Sequence, residues 1–445
     1  VGLRKMYHSV ASFSKLVVFF VMFAFSALNV TASTLQELIN QTPTGGKVPL
    51  ESGTYYGPVV IDRPLILDGE GKVTIDGQAK GTVIRIVANG VTIRNMIITG
   101  SGKSHDQVHA GIAINSSHNI IRNNRIHHTL FGIDMKESHE NKIIENDISS
   151  FPEDLGLRGD GIRVWASNNN IFSKNSIHDS RDMIVWYSDG NLIEHNKGWN
   201  NRYSLHFMYT GGNTVRYNNY WDSAVGIFLM YSHDSVLSHN QIRHAIGTTG
   251  MGIGMKEVDN MRLIENRIVY CTTGIYLDQS PFDPLEFNMM LGNTVAYNIH
   301  GVVFHSTLKQ NVFKGNKFIG NLEPITVHSN GTAKNNIWEA NYWSEYEGFD
   351  RDNNGYGDTS YINKSYFDQL WMDNPWLKFY YASPVLSGLN LLAKLAPLSE
   401  PKLLMIDTKP VFYENDPLLL SAEILDYQPP EIDEDDLDEE WDENS

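Results

Sequence analysis

The sequence predicts an all-β fold, a parallel β-helix solenoid closed by a short N-terminal helix and followed by a C-terminal extension of loop and helix. Three observations carry this. The segments Asp182-Met-Ile-Val-Trp186-Tyr-Ser188, Ser204-Leu-His-Phe-Met208-Tyr-Thr210 and Gly226-Ile-Phe-Leu-Met230-Tyr-Ser232 align without gaps, each starting 22 residues after the one before. The same register recovers segments beginning at Gly111, Gly132, Gly161, Gly252, Gly274 and Gly301, and in all nine the second and fourth residues are apolar, from Ile112 and Ile114 to Val302 and Phe304. Alternation over so short a run marks a strand with one face toward a core. Finally, Asn recurs at 124, 146, 175, 196, 218, 240, 266, 293, 316 and 341, each with an apolar residue three before it. Asn tolerates left-handed turns and bonds neighbouring backbone, so a stack of them at one corner is mechanically sensible. Two columns in fixed phase define one rung, and stacked rungs bury a face that no single coil could bury alone. A β-propeller or sandwich is the alternative.

Taken in order, residues 1–32 read as an export signal: Arg4, Lys5 and Lys15, an apolar run from Leu16 to Phe25 extending to Leu28, and a small-residue cleavage site ending at Ala32. The run is short for a membrane span, and a retained anchor is the alternative. Thr34-Leu-Gln-Glu37 has the capping-box pattern and predicts a short helix that lids the first coil. Residues 33–343 form one solenoid, opening with β-branched runs such as Leu65-Ile-Leu67 and Val73-Thr-Ile75. Residues 344–411 form a C-terminal capping loop and a helix over 383–397, entered by Pro384 and stopped by Pro397, which packs on the last coil or docks a membrane partner.

The formal charge of −17 is concentrated at one end: residues 412–445 hold 14 acidic and no basic side chains, leaving 38 acidic against 35 basic elsewhere. That segment is expected to be a solvated, disordered tail. With no basic stripe and no stacking module, nucleic acid is not an expected ligand. The single Cys271 excludes an intrachain disulfide.

The outward residues carry the chemistry. Alternation puts Trp165, Ile184, Trp186, Met208, Phe228 and Met230 on the outside of the middle coils. A contiguous apolar patch of that kind is a docking face, here Trp165, Ile184, Trp186 and Phe228. Longer connections at 149–157 and 245–249 share a corner and bracket it. Met208 and Met230 occupy one column on adjacent coils, about 4.8 Å apart at Cα, and His206 lies on the same face. Thioether and imidazole together suit Cu(I), with His233 as a fourth ligand from the following turn. Met is also a deformable interface residue, so a docking surface without metal is the competing reading. The flanking charges, Asp134, Lys136 and Arg163 on one side and Lys256, Asp278 and His305 on the other, form a solvated rim or a catalytic groove.

Beyond the last coil, Asp350, Asp352, Asn354 and Asp358 fall at positions one, three, five and nine of a calcium loop with Gly355 at six, although position twelve is Tyr361 rather than Glu. The loop is a structural calcium site or a plain turn, and Trp343 and Tyr346 cover the open end of the solenoid.

The strings Arg181-Asp-Met-Ile-Val-Trp-Tyr-Ser188, Arg202-Tyr-Ser-Leu-His-Phe-Met-Tyr209, Val225-Gly-Ile-Phe-Leu-Met-Tyr-Ser232, Gly250-Met-Gly-Ile-Gly-Met-Lys-Glu257, Glu347-Gly-Phe-Asp-Arg-Asp352 and Leu370-Trp-Met-Asp-Asn-Pro375 resemble the NosD family over roughly residues 50–410. Unrelated β-helix proteins share the Asn column but not these strings. The resemblance implies a right-handed parallel β-helix in the periplasm that works with an ABC-type membrane transporter complex, receives copper from a copper chaperone and helps build the copper centres of nitrous oxide reductase. It supplies no ligand list, so His206, Met208, Met230 and His233 rest on the residues alone, and the acidic tail departs from the family pattern. The expected function is therefore a non-enzymatic maturation factor that holds copper transiently. A polysaccharide lyase, epimerase or hydrolase is the alternative, because fold alone does not decide activity. Such an enzyme needs acid and base groups in one groove, whereas the outward columns here are rich in Met, Trp and Phe.

Overall fold

Twelve parallel strands, one per coil, stack into a single long sheet that runs from Val59–Ile61 to Glu323–His328 in a computed structural model describing residues 34–308, 310–365 and 402–429. Each middle coil adds two short strands on the other walls, such as Leu192–Glu194 and Lys197–Trp199, and these too pair only with the same strands of the coils above and below. The chain is thus a parallel β-solenoid. The repeat alignment is the physical register: Trp165, Trp186, Met208 and Met230 are successive partners, as are Arg163, Ile184, His206 and Phe228. Their alternates Ile162, Met183, Leu205 and Ile227 are fully buried and join the core.

The left-handed residue is not the column Asn but the residue before it: Glu145, Lys174, His195, Tyr217, His239 and Glu265 have φ between 51° and 58°. That turn swings the following Asn inward, where its amide must satisfy buried backbone. Asn146 donates its backbone N–H to Oδ1 of Asn175 (3.0 Å) and its side-chain N–H to the carbonyl of Ile121 (2.9 Å). A left-handed non-Gly residue costs about 1–2 kcal/mol, and each coil offsets this with such hydrogen bonds. A second ladder stands five residues earlier, through Asn119, Asn141, Asn170, Asn191 and Asn213, and passes to Ser235.

Close stacking fixes the first strand position. At Gly226 a Cβ would lie 2.4 Å from Ile242 Cγ2 and 2.6 Å from the carbonyl oxygen of Gly252, so glycine is required where coils approach this tightly. Two coils break that pattern, with Asp182 and Ser204, and there the strand Tyr203–Met208 carries a one-residue bulge against Asp182–Trp186.

Both ends are closed. The predicted capping box is present: Thr34 Oγ1 accepts from the Glu37 backbone N–H, Glu37 Oε2 accepts from the Thr34 N–H (2.9 Å), and the helix Leu35–Gln41 buries Leu35 and Ile39. At the other end Trp343 stacks between Phe318 (4.3 Å) and Tyr361 (4.5 Å), and strand Tyr361–Ser365 pairs antiparallel with Lys402–Asp407. The expectation of a solvated tail from residue 412 does not hold for 412–429. Val411 bridges Tyr342 and Tyr356, and the short helical turns Pro417–Leu420 and Ala422–Leu425 bury Leu419 and Ile424. The acidic residues there alternate with leucine and isoleucine, and Gly315 leaves room for the Ile424 side chain. The signal segment, the helix at 383–397 and residues 430–445 of the tail lie outside the described residues.

Candidate functional site

The structure brings His206, Met208 and Met230 to one outer wall. His206 Nε2 lies 3.4 Å from Met230 Sδ, and Met208 is in register with Met230. Alternation predicted the face but not the covering. His206 and Ile184 are only 6% and 7% exposed, which corrects the expectation of an open patch at these two positions. Strand Tyr203–Met208 supplies the lid itself: the ring of Tyr203 packs on His206 at 4.7 Å and stacks over Phe228 at 5.7 Å. Met208 and Met230 stay half-buried. His233 stands apart, beyond the strand end, with its ring over Gly211 and Nδ1 on Asp234 (2.8 Å), and among the described residues no hydrogen bond joins it to the other three.

A buried charge cluster underlies this wall. Asp160 receives two hydrogen bonds from Arg181 (2.9 and 3.0 Å), and Asp182 is clamped by Arg202. Both carboxylates are almost completely buried. Burial, with the neighbouring charge of Asp182, pushes the Asp160 carboxyl up to about 6. Burial acts on Asp182 in the same sense, but His206 and Arg202 more than offset it and hold that carboxyl below its usual range. His206 Nδ1 is 3.9 Å from Asp182 Oδ2, beyond hydrogen-bond reach, and this buried nitrogen has no hydrogen-bond partner. The side chain therefore faces a thioether with one nitrogen and an anion with the other. The sequence carried a signal for one member of this cluster: Asp182 sits where other coils place glycine.

The outer face expected to dock a partner is aromatic. Trp165 meets Trp186 edge-on at 4.6 Å, and Tyr187, Tyr209 and Tyr231 stack at 5.2 and 4.7 Å just past the strand ends. All three tyrosines have left-handed φ, which turns their rings along the solenoid axis. Trp165, Trp186 and Phe228 are half-buried and Tyr187 and Tyr209 exposed. This tyrosine ladder stands one residue beyond the outward strand positions, in the repeated pairs Trp186-Tyr187, Met208-Tyr209 and Met230-Tyr231.

In the loop after the last coil, the acidic side chains bond to their own backbone. Asp350 accepts from the N–H groups of Asn354 (3.1 Å) and Gly355 (3.0 Å), Asp352 from Asn354 Nδ2 (2.8 Å), and Asp358 from the N–H of Arg351 (2.9 Å). These bonds are those of an Asx-type turn, with Gly355 at φ 86°. Among the described residues no three His, Cys, Asp or Glu side chains are gathered to hold a metal ion. The donor set of the outer wall is of a different kind, one imidazole and two thioethers.

The family described as "Periplasmic copper-binding protein (NosD)" matches residues 151–348, which include the buried charge cluster, the docking face and all of His206, Met208 and Met230. A protein of Pseudomonas aeruginosa named "Probable ABC transporter binding protein NosD" is 29% identical over 337 residues, 71% of this chain and 76% of its own length. Its namesake in Stutzerimonas stutzeri is 29% identical over 339 residues, covering 70% and 74%. Among solved structures, a PL6 alginate lyase in complex with a trisaccharide has 12% identity and a TM-score of 0.54, covering 69% of this chain and 81% of the lyase. That likeness shows the solenoid fold and nothing of activity. The matched family and the two relatives agree with one another: over its middle coils this chain is similar to the NosD family.

Proposed function

We propose that this chain is a non-enzymatic accessory protein of the periplasm that holds copper in passing and helps assemble the copper centres of nitrous oxide reductase, together with an ABC-type transporter and a copper chaperone. The description of the matching family and the names of the relatives support copper, periplasm and transporter. The single observation that carries the reading is the approach of His206 Nε2 to Met230 Sδ at 3.4 Å with Met208 in register beside it. Imidazole and thioether are soft to borderline donors that favour Cu(I) over hard cations. Three protein ligands, two of them the half-buried Met208 and Met230, leave a position for a donor from the chaperone or acceptor, as a transfer site needs. The aromatic face of Trp165, Trp186 and Phe228 beside it would seat that partner. His233, apart from the other three, would join only with movement of its turn.

Cu(I) titration against a competing chelator tests the proposal. The double variant Met208→Ala/Met230→Ala is expected to lose at least about tenfold in affinity, or ~1.4 kcal/mol, and His206→Ala a similar factor. Unchanged affinity in both rejects the site. Residues 350–358 enter the reading as a structural calcium loop, with Asp350, Asp352, Asn354 and Asp358 as ligands; calcium is then expected to raise the melting temperature of the protein, and an identical melt with calcium and with a chelator rejects it.

A further inference from the structure

A cleft of about 450 Å³ opens on the outer face of the long sheet, on the N-terminal side of Trp165. Its floor is one register column, Arg85, Ala113, Asp134 and Arg163, read across four consecutive coils. The small Ala113 gives it depth. The adjoining column contributes Asn115, Lys136 and Trp165, and Gln107 and Val108 form a side wall. Val108 is a β-branched residue held at φ 49°, a conformation that costs on the order of 1–3 kcal/mol and persists only where the surroundings enforce it. Packing beside Ala110, Leu130 and Phe131 enforces it here, and keeps the wall upright.

The charge of this cleft runs against that of the chain. Asp134 is matched by Arg163 at 3.1 Å. Arg85 reaches only the amide oxygen of Asn115 (3.2 Å), and Lys136 makes no ion pair among the described residues. Two cations are thus uncompensated in a concave site on a protein of formal charge −17. The volume is that of a small-ligand pocket. A flat aromatic ring borders it, with the Arg163 guanidinium 5.4 Å from the Trp165 centroid.

We propose that this cleft binds a carboxylated oligosaccharide of two or three sugar units, its carboxylates on Arg85 and Lys136 and one ring face on Trp165. The floor of the cleft offers only side chains, because the backbone groups of these strands are paired from coil to coil. An acidic peptide laid there would leave its own amides without partners, at a cost of about 1–3 kcal/mol for each one buried. A sugar chain presents hydroxyls and carboxylates that Asn115, Gln107, Arg85 and Lys136 can meet, and one coil step of about 4.8 Å is close to the length of one pyranose unit in an extended chain. The site ends at Trp165, one coil before Trp186 in the same column, and does not depend on copper.

Isothermal titration of the full chain with trigalacturonate, maltotriose and hexaglutamate tests this. Trigalacturonate is expected to bind with a sub-millimolar Kd that weakens with salt, as screened charges must, and maltotriose to give no heat. Arg85→Glu/Lys136→Glu, both exposed positions, should weaken trigalacturonate at least tenfold while leaving the melting temperature and the Cu(I) affinity unchanged. Trp165→Ala, which keeps every charge, should weaken it by about fivefold or more. The proposal is overturned by no trigalacturonate binding, by equal binding in the double variant, by maltotriose bound as well as the acid, or by hexaglutamate bound as tightly as trigalacturonate.

Discussion

Asn341 donates both its backbone N–H (3.1 Å) and its side-chain amide (2.9 Å) to Oδ2 of Asp407, 66 residues further along the chain. In the nine coils before it, the same two donors of each ladder Asn are met by the Asn of the next coil, for example Asn293 on Asn316 and Asn316 on Asn341. Asp407 thus stands where an eleventh Asn would be. It also accepts from Trp343 Nε1 (3.0 Å) and from the Lys409 N–H (3.1 Å) and is completely buried.

Asp407→Ala should accordingly unfasten the C-terminal end. It leaves at least three buried donors unmet, each worth about 1–3 kcal/mol, and a drop of several kcal/mol in denaturant unfolding is expected. Asp407→Asn keeps an acceptor oxygen in place and should lose much less. Equal losses in the two variants, or none, would show that the ladder needs no acceptor at its end.

The same ladder marks where sequence reading succeeds and where it stops. A period of about 22 residues with fixed alternation determines strand, register and core, because a one-residue slip would turn every buried side chain outward. That is why the pairing of Trp165, Trp186, Met208 and Met230 was legible. The second Asn ladder was not, because Ser235 and Met261 interrupt it and dilute the repeat. Nor was the burial of His206: alternation assigns a face, while the cover comes from Tyr203, three residues earlier on a bulged strand. The bulge falls where Asp182 and Ser204 replace glycine at the first strand position, and Asp182 is also one of the two buried carboxylates.

Asp160 gives that cluster a pH signature. Its carboxyl sits at about 6 in the folded protein against an ordinary 3.8. A carboxyl raised on folding contributes stability that is fully present below its unfolded pKa and is lost as pH rises through the folded one. Asp182, held low, acts in the opposite sense: its contribution is present above about 4 and lost on acidification. Asp160→Asn removes only the first. The stability of the native chain relative to this variant should therefore fall between pH 4 and 6.5, by an amount on the order of 3 kcal/mol, and stay flat above. Thermal melts of both proteins across that range measure it, and a difference that is flat or rises with pH contradicts the assignment.

The segment 412–429 offers a contrast in local stability. Its hold on the solenoid comes from a few apolar anchors, Leu419 and Ile424 with Val411 and Ala340, together with Lys314 under the Tyr427 ring at 4.0 Å and Arg262 on the Leu425 carbonyl at 3.3 Å. A segment with so few anchors opens on its own, well before the coils it covers. Ile424→Ala removes about 2–4 kcal/mol of packing, comparable to the whole local free energy. Protease cleavage within 412–429 should then accelerate at least tenfold, while the main melting transition moves little because no coil loses a neighbour. If cleavage is unchanged, the segment is held by something other than these contacts; if the main transition falls in step, it is part of the solenoid's cooperative unit and not a strap laid over it.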